Sequence, residues 1–247
     1  MSAPLDSSSP SPSPQPFAGR VALVTGGSQG LGRAVGESLA AAGARVVLVA
    51  RTAAALDEAV LRIRGAGGSA WGIAMDVSAP DAAARLLGEA AALTGGPVDL
   101  LIHAAGTLGP VPMPALQDLE PGAFEHVLLV NLVAPYRITR AALGGMSLRG
   151  GGDVVFISSD AAVSAWPGWG AYGVSKAGVD HLARSFAVEA EDVRFWALDP
   201  GEMDTAMHAA ALPDADPASL RRPGHVSRAI LARLSDPAGP VRQEVAL

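Results

Sequence analysis

A tyrosine and a lysine one helical turn apart offer the clearest chemistry in this sequence. Tyr172 and Lys176 stand at positions i and i+4, so they share one face of a helix. A cation beside a phenol stabilises the phenolate, which predicts a lowered pKa for Tyr172 and a hydroxyl usable as a general acid or base near neutral pH. Ser159 ends a predicted strand thirteen residues upstream and can return to the same cleft. The alternative is an ordinary pair on a solvated helix face.

Asn131 interrupts a long apolar stretch, between VLLV and LVAPY. A buried asparagine needs hydrogen-bond partners, and a catalytic water is one kind of partner. Taken alone, the residue is better explained by a kink or a cap in the helix than by a functional role.

The stretch TGGSQGLG, residues 25–32, admits more than one interpretation. Glycines permit a tight turn and close backbone approach, and the following helix N-terminus offers free N–H groups to a pyrophosphate. The letters GGSQG also fit the G-x-S-x-G turn of α/β-hydrolases, and Ser28, Asp199 and His208 follow in the required chain order. The hydrolase is disfavoured because Ser28 follows the first strand, with no earlier loop to build an oxyanion hole. A glycine-rich turn without a ligand is the third alternative.

Two more predicted strand ends carry residues that suit a nucleotide. Arg51 follows the second strand, where a guanidinium would pair with a 2′-phosphate and an acidic residue would bind a ribose 2′-hydroxyl. Asp76 and Val77 follow the third strand, where the carboxylate can meet an adenine amino group. A solvated loop arginine is the alternative for Arg51, and the Asp76 signal is weak alone.

Alternating apolar runs and helical patterns predict the scaffold. Nearly continuous apolar strands indicate a parallel sheet covered on both faces, and the helices between them give a single-domain, Rossmann-like, doubly wound α/β fold. The predicted strands are Val21–Thr25, Arg45–Ala50, Ala70–Ala74, Asp99–His103, Asp153–Ser158 and Val193–Leu198. The predicted helices are Leu31–Ala42, Ala54–Arg64, Asp81–Leu93, Gly122–Leu148 and Ala171–Glu191. Ligands of such sheets bind beyond the carboxyl ends of the strands, where the residues above are located.

Composition excludes several classes of function. A net charge of −6 argues against a nucleic-acid partner, and no apolar run reaches the roughly 18 residues of a membrane span. The chain has no cysteine and its five histidines lack metal-ligand spacing, so we expect no metal site. Residues 1–18 are rich in Ser and Pro and predict a flexible tail, with one domain over residues 19–247. A cytoplasmic protein is the default expectation.

Taken in order, these signals resemble the short-chain dehydrogenases/reductases, in their single-domain branch. The resemblance runs from about residue 19 to residue 205 and depends on several motifs together, since each is weak alone. They are T-G-x-x-x-G-x-G at residues 25–32, D-V at 76–77, A-G at 105–106, Asn131, Ser159, Y-x-x-x-K at 172–176 and P-G-x-x-x-T at 200–205.

The resemblance implies roles for these residues. Tyr172 would protonate a substrate carbonyl oxygen to which Ser159 hydrogen-bonds. Lys176 would hold the nicotinamide ribose and lower the Tyr172 pKa, and Asn131 would organise a water that links Lys176 to solvent. The implied cofactor-binding residues are Gly26, Ser28, Gln29, Gly30, Leu31, Gly32, Arg51, Asp76, Val77, Ala105, Gly106, Tyr172, Lys176, Pro200, Gly201, Met203 and Thr205.

The chain departs from the family pattern in three places. His103 and Ala104 stand where the family usually has two asparagines, so the turn after the fourth strand is held differently or by His103. Gln29 occupies a position that is often basic in NADP-preferring members, which leaves Arg51 as the main signal for NADP. The ending PVRQEVAL, residues 240–247, replaces the usual last strand and predicts at most a stub of one.

The resulting hypothesis is NADPH-dependent reduction of a small to medium ketone or aldehyde, with NAD as the alternative cofactor. Segments 107–115, 165–170 and 202–224 should border the substrate and are mostly apolar. The resemblance implies a homodimer or homotetramer formed through the Asn131-bearing and Tyr172-bearing helices. A non-catalytic NADP-binding sensor or scaffold is the alternative function.

Overall fold

A computed structural model describes residues 15–236 and 238–245. Its sheet has seven parallel strands in the order β3-β2-β1-β4-β5-β6-β7. The strands are β1 Val21–Thr25, β2 Arg45–Ala50, β3 Ser69–Ala74, β4 Leu100–His103, β5 Gly152–Ile157, β6 Val193–Asp199 and β7 Arg242–Glu244. The first six agree with the predicted strands to within one residue at each end. In five of them nearly every residue is buried, so apolar runs mark these strands directly, whereas the edge strand β3 alternates between buried and exposed residues.

Helices cover both faces of the sheet, and the sheet separates two apolar layers of the core. They are α1 Gly30–Ala41, α2 Ala53–Gly65, α3 Ala82–Thr94, α4 Pro121–Leu128, α5 Ala134–Leu148, α6 Gly170–Glu189, α7 Ala206–Ala211 and α8 Pro223–Ser235. The doubly wound α/β prediction is confirmed by this arrangement. The switch in strand order between β1 and β4 opens a crevice at the carboxyl ends of the strands, the usual ligand position in such sheets.

The helix predicted over residues 122–148 is not continuous. A π-helical turn, Leu129–Val133, separates α4 from α5, and the buried Asn131 lies at its centre. The Asn131 side chain bonds to groups outside its own helix, and insertion of polar partners of this kind is a known cause of such bulges. The structure thus places a helix irregularity at Asn131, in the form of a π-helical turn.

Two helices near the C-terminus were not predicted, and the last strand was predicted only as a stub. The helix α8 packs Val226, Ile230 and Leu234 into the core beside α1, and the Ser38 and Ser227 hydroxyls hydrogen-bond across this contact at 2.8 Å. The short α7 begins at Thr205, whose hydroxyl accepts from the His208 N–H. The strand β7 is three residues long and pairs in parallel with β6. Proline-rich connections around these elements concealed their short helical and strand patterns.

The N-terminal tail prediction covered residues 1–18, of which 1–14 lie outside the described residues. Phe17 is buried in the core, and its N–H bonds to the Ala42 carbonyl at 3.0 Å. The packed chain therefore begins before residue 19, because one aromatic side chain in a polar segment buries enough apolar area to hold its neighbours.

Candidate active site

One cavity of about 1290 Å³ lies at the carboxyl ends of the strands. Its wall contains every residue listed above as catalytic or cofactor-binding except Asn131, which lies buried behind it. The cavity is long enough to have the glycine loop and Arg51 in one part and Tyr172 in another. Its size exceeds the usual range of single-ligand pockets, which is consistent with a cofactor and a substrate together.

The glycine loop between β1 and α1 lines the cavity, and close backbone contacts require glycine at two of its positions. Gly26 has φ +70°, and a Cβ there would lie 2.7 Å from the Ala104 oxygen. A Cβ on Gly32 would lie 2.3 Å from the Gly26 oxygen. The Gln29 side chain makes no capping bond to α1, so the first-turn N–H groups keep their capacity to bind an anion.

The far end of the cavity carries Arg51 and Asp76. Arg51 is exposed and directly follows β2. One Asp76 oxygen accepts from the Ser78 hydroxyl at 2.7 Å and from the Ser78 N–H at 2.9 Å, and these bonds lower the pKa of Asp76. The Asp76 carboxylate is therefore ionised and has its second oxygen available for a donor such as an amino group.

The turn after β4 is held by residues other than His103. The Thr25 hydroxyl accepts from the Ala105 N–H at 3.2 Å and lies 3.4 Å from the Ile102 carbonyl. His103 points the other way, with Nε2 2.9 Å from the Thr139 hydroxyl and its ring stacked on Phe156 at 5.0 Å. The turn is thus held differently from the family's asparagine pair, which was one of the two expectations.

Asn131 is fully engaged with protein groups. Its Oδ1 accepts from the Thr107 N–H at 2.8 Å, and its Nδ2 donates to the Thr107 carbonyl and the Ser175 hydroxyl, each at 2.9 Å. Both amide protons are donated within the protein, so a water of the kind that the resemblance implies would donate to the second lone pair of Oδ1. Asn131 also ties the loop after β4 to α6, next to Lys176.

Tyr172, Ser159 and Lys176 converge on one part of the cavity wall. Lys176 Nζ donates to the Ile157 carbonyl at 2.6 Å and lies 5.4 Å from the centre of the Tyr172 ring. The Ser159 hydroxyl donates to Asp160 Oδ1 at 2.9 Å. Both Tyr172 and Lys176 are buried although they line the cavity.

The expected lowering of the Tyr172 pKa is wrong for this arrangement. Burial raises the pKa of Tyr172, the carboxylates of Asp199 and Asp160 add to the rise, and the bond with Ser159 only partly opposes it. Burial also lowers the pKa of Lys176 to about 8, against the attraction of Asp180 and Asp199. Desolvation is the largest cause of the raised Tyr172 pKa, so Tyr172 keeps its proton at neutral pH.

The three residues of the hydrolase alternative do not form a relay. Asp199 accepts from the Gly201 N–H at 3.0 Å and pairs with Arg242 at 3.3 Å. The His208 ring lies 3.8 Å from Glu202, and within the described residues neither of its nitrogens has a hydrogen-bond partner. Ser28, Asp199 and His208 all line the cavity, but the geometry for passing a proton between them is absent among the described residues.

Three charged residues beside the candidate active site were not predicted from the sequence to act there. They are Asp180 on α6, Asp199 at the end of β6 and Arg242 on β7. The spacing of Asp180, four residues after Lys176, was the one available signal, since it places the two on one helix face. The partner Arg242 had no signal, because the chain end resembled a stub.

Comparison with known proteins identifies this architecture. Residues 20–216 match the family described as short chain dehydrogenase. The chain belongs to the short-chain dehydrogenase family. Its membership makes it an oxidoreductase of that family, and the observed fold and the order of motifs agree with it.

Several members of the short-chain dehydrogenase family are similar to this chain. A short chain dehydrogenase of Pseudocercospora fijiensis is 39% identical over 197 residues, which cover 77% of this chain but 62% of that protein. The chloroplastic NADPH-dependent aldehyde reductase-like protein of Arabidopsis thaliana is 33% identical, with coverage of 81% and 78%. The yciK oxidoreductase structure from E. coli superposes with a TM-score of 0.86 at 27% identity, covering 95% of this chain and 97% of that one.

Within residues 15–236 and 238–245, no helix is long and apolar enough to cross a membrane. No three His, Asp or Glu side chains there are grouped to hold a metal ion.

Proposed function

We propose that this short-chain dehydrogenase uses NADPH to reduce a small to medium ketone or aldehyde, with Tyr172 as the proton donor. The observation that carries the proposal is the convergence of Tyr172, Ser159 and Lys176 on one cavity that also contains the glycine loop. The name of the Arabidopsis relative, an NADPH-dependent aldehyde reductase-like protein, supports the same chemistry.

The cavity fits a dinucleotide on structural grounds. The backbone of Gly26 and Gly32 lies where any side chain would collide, which permits close approach of a pyrophosphate. Pro200, Gly201, Met203 and Thr205 border the part of the cavity next to Tyr172, where a nicotinamide would lie. When bound, the dinucleotide supplies a hydride for the carbonyl carbon.

Side chains of the protein supply the proton in the proposed reaction. Because its pKa is raised, the Tyr172 phenol is protonated at pH 7 and can donate to a substrate oxygen. The Ser159 hydroxyl would turn from Asp160 to the same oxygen, and Lys176, with a pKa of about 8, is mostly protonated at pH 7 and can return a proton to the phenolate. Asn131 positions Lys176 indirectly, through Ser175 and the loop after β4.

An apolar rim indicates the substrate class. Leu108, Trp166, Trp169, Met203 and Met207 line the cavity, and Trp169 meets Tyr172 edge-on at 5.7 Å between ring centres. Such a lining favours a partly apolar carbonyl compound over a strongly charged one.

The test is NADPH oxidation over a panel of ketones, ketoesters, diketones, quinones and aldehydes. Tyr172→Phe should lose at least ~100-fold in turnover, the scale of a removed general acid, with little change in NADPH affinity. Tyr136→Phe is the matched control, because Tyr136 is the other tyrosine of the chain and is partly exposed on α5.

Near wild-type turnover in Tyr172→Phe would contradict the proposed mechanism. Tight NADPH binding by the wild type without turnover on any panel member would instead support the alternative of a sensor or scaffold. Stoichiometric labelling of Ser28 by a fluorophosphonate would revive the hydrolase.

The preference for NADP is proposed from Arg51. Its exposed guanidinium lines the cavity directly after β2, whereas Arg33, which also lines it, lies 3.8 Å from Glu37. Arg51→Ala should weaken NADPH binding by roughly 10-fold or more, the value of a lost charge-assisted phosphate contact, and leave NADH binding unchanged. Titration by cofactor fluorescence measures both, with the exposed Arg85→Ala as control. Equal losses for NADPH and NADH would refute the assignment.

The assembly is proposed to be a homodimer or homotetramer formed through α4–α5 and α6. Tyr136 on α5 and Val174 and Val188 on α6 are exposed apolar side chains, and a shallow apolar groove between these helices is lined by Leu132 and Leu182. Sedimentation equilibrium measures the mass, and a monomer at micromolar concentration would contradict the proposal.

A further inference from the structure

The last strand places one arginine beside the candidate active site. The strand β7 pairs with β6 in parallel, with Arg242 opposite Ala197 and Glu244 opposite Asp199. From this edge the Arg242 side chain reaches under α6 and is mostly buried. The sequence signal for a last strand was weak, but the strand forms and ends beside the cavity.

Arg242 joins three elements of the site. Its Nε lies 2.6 Å from Asp180 Oδ2 on α6, and its Nη2 lies 3.3 Å from Asp199 Oδ2 at the end of β6. The same Nη2 lies 3.4 Å from the Ser159 carbonyl. The second oxygen of Asp180 accepts from the Ser158 hydroxyl, and that of Asp199 accepts from the Gly201 N–H. The guanidinium is therefore the common partner of two buried carboxylates.

These carboxylates act on Lys176. Asp180 follows it by one turn on α6, and both Asp180 and Asp199 favour its charged form. Two carboxylates and one arginine leave one excess negative charge, which Lys176 balances. Burial alone would discharge Lys176 further, so the size of this excess determines how much of Lys176 stays protonated near neutral pH.

Further charged and titratable groups surround this cluster. Those that face Lys176, Tyr172 or Asp199 from the neighbouring elements are His103 on β4, Asp160 after β5 and Glu244 on β7. His103 is neutral, with a pKa lowered to about 3 by burial and by Lys176. Asp160 and Glu244 are carboxylates that add negative charge. Among the described residues, two arginines oppose them besides Lys176: Arg221 donates to the Pro200 and Val245 carbonyls, whereas Arg242 contacts the Asp180 and Asp199 carboxylates directly.

We propose that Arg242 is a positioning residue of the active site, which holds Asp180, Asp199 and the Ser159 carbonyl in place and determines the charge presented to Lys176 and Tyr172. The proposal rests on the proposed function, in which these two residues supply the proton. It gives the C-terminal strand a role in catalysis without contact with substrate or cofactor.

Opposite pH shifts test the role of Arg242. Arg242→Met removes the cation that opposes the two carboxylates, which should raise the pKa of Lys176. The pH above which kcat/KM for reduction falls should therefore increase by about one unit. Asp180→Asn removes negative charge, so the same pH should decrease by about one unit. Arg242→Lys should restore most of the wild-type profile, and Arg228→Met, at an exposed site on α8, should change nothing.

A purely structural role predicts lower yield or stability with an unmoved pH profile, and that result would overturn the proposal. So would shifts of the same sign in Arg242→Met and Asp180→Asn. Failure of the proposed function looks different, because the wild type would then lack turnover or Tyr172→Phe would retain it.

A second measurement does not depend on turnover. Lys176 has a pKa of about 8 in the folded chain and 10.5 as a free side chain, so the unfolded chain binds more protons between these values. Stability of the wild type should therefore rise with pH across this window. In Arg242→Met the rise should begin at higher pH, and in Asp180→Asn at lower pH. Urea unfolding at pH 7 to 10 measures it, and identical curves would overturn the proposal.

Discussion

Two networks of buried carboxylates lie at opposite ends of the parallel strands of one sheet. At the amino ends, Asp99 pairs with Arg20 at 2.5 Å and Arg149 at 3.2 Å, and Asp153 pairs with Arg20 at 3.0 Å and Arg194 at 2.7 Å. At the carboxyl ends, two other carboxylates, on α6 and β6, share the single guanidinium of β7. The chemistry is alike, but the charge balance differs.

The amino-end network has three arginines for two carboxylates, and the arginine side chains are 26%, 35% and 42% exposed. Each carboxylate is satisfied, and the excess positive charge is partly in solvent. The carboxyl-end network has one arginine, 20% exposed, and its excess negative charge faces the buried Lys176. The role of an ion network thus depends on the end of the strands at which it lies. The amino-end network links neighbouring strands, whereas the carboxyl-end network lies beside the residues proposed to react.

The largest effect is expected at Asp153, which accepts from Arg20, Arg194 and the Trp196 indole. Asp153→Asn leaves Arg194 without its charged partner and Arg20 with Asp99 alone. It should lower the free energy of unfolding by about 2–3 kcal/mol, below the cost for a wholly buried pair because the arginines are partly hydrated. Turnover per folded molecule and its pH profile should stay unchanged.

Urea unfolding and the pH dependence of kcat/KM measure the Asp153→Asn variant. The control is Asp81→Asn, whose exposed pair with Arg85 should contribute less than about 0.5 kcal/mol. A shifted pH profile in Asp153→Asn would break the division between the two networks.

The second effect concerns His103, which ends β4 one strand length from Asp99. Its pKa is about 3 in the folded chain and 6.5 as a free side chain, so below pH 6.5 the unfolded chain binds more protons and stability falls. Between pH 6.5 and 5 this loss should approach about 1.4 kcal/mol per pH unit. His103→Asn should remove it.

Urea unfolding at pH 5 to 7 measures this slope for His103→Asn against the exposed His225→Asn. Equal slopes in the wild type and His103→Asn would show that a charged His103 is accommodated, and the carboxyl end would then carry a further cation.

The smallest effect is expected at Arg149, which contacts Asp99 from the end of α5. Arg149→Met leaves Asp99 paired with Arg20, so the loss should be about 0.5–1 kcal/mol, as for other partly exposed pairs. A loss as large as that in Asp153→Asn would mean that the amino-end network depends on each arginine. Chemical unfolding in low and high salt checks the value, since the exposed pair should weaken with salt.

The sequence predicted the sheet well because both faces of its central strands are buried. A run such as VVLVA is apolar on both faces, which favours a strand that is buried on both sides. The predicted bounds of β1, β2, β4, β5 and β6 therefore agree with the observed bounds to within one residue. The glycine positions were equally readable, since the close contacts at Gly26 and Gly32 exclude side chains. Local rules of sterics and burial are sufficient for these features.

The C-terminal third was less predictable for a physical reason. The short α7 and β7 are stabilised by what they pack against, and a three-residue strand has no periodicity of its own. Asn131 illustrates the same point, because its partners Thr107 and Ser175 are 24 and 44 residues away. A helix irregularity was predictable from a polar residue in an apolar helix, but the partners of Asn131 were not.

The sequence by itself determined the doubly wound fold, the glycine loop and the pairing of Tyr172 with Lys176, since each depends on neighbours in the chain or on burial of a whole segment. Only the tertiary structure decided the direction of the Tyr172 pKa and the arrival of Arg242 beside Asp180, 62 residues away. A pKa is a sum of desolvation and charges from several elements, and no local pattern records which elements will meet.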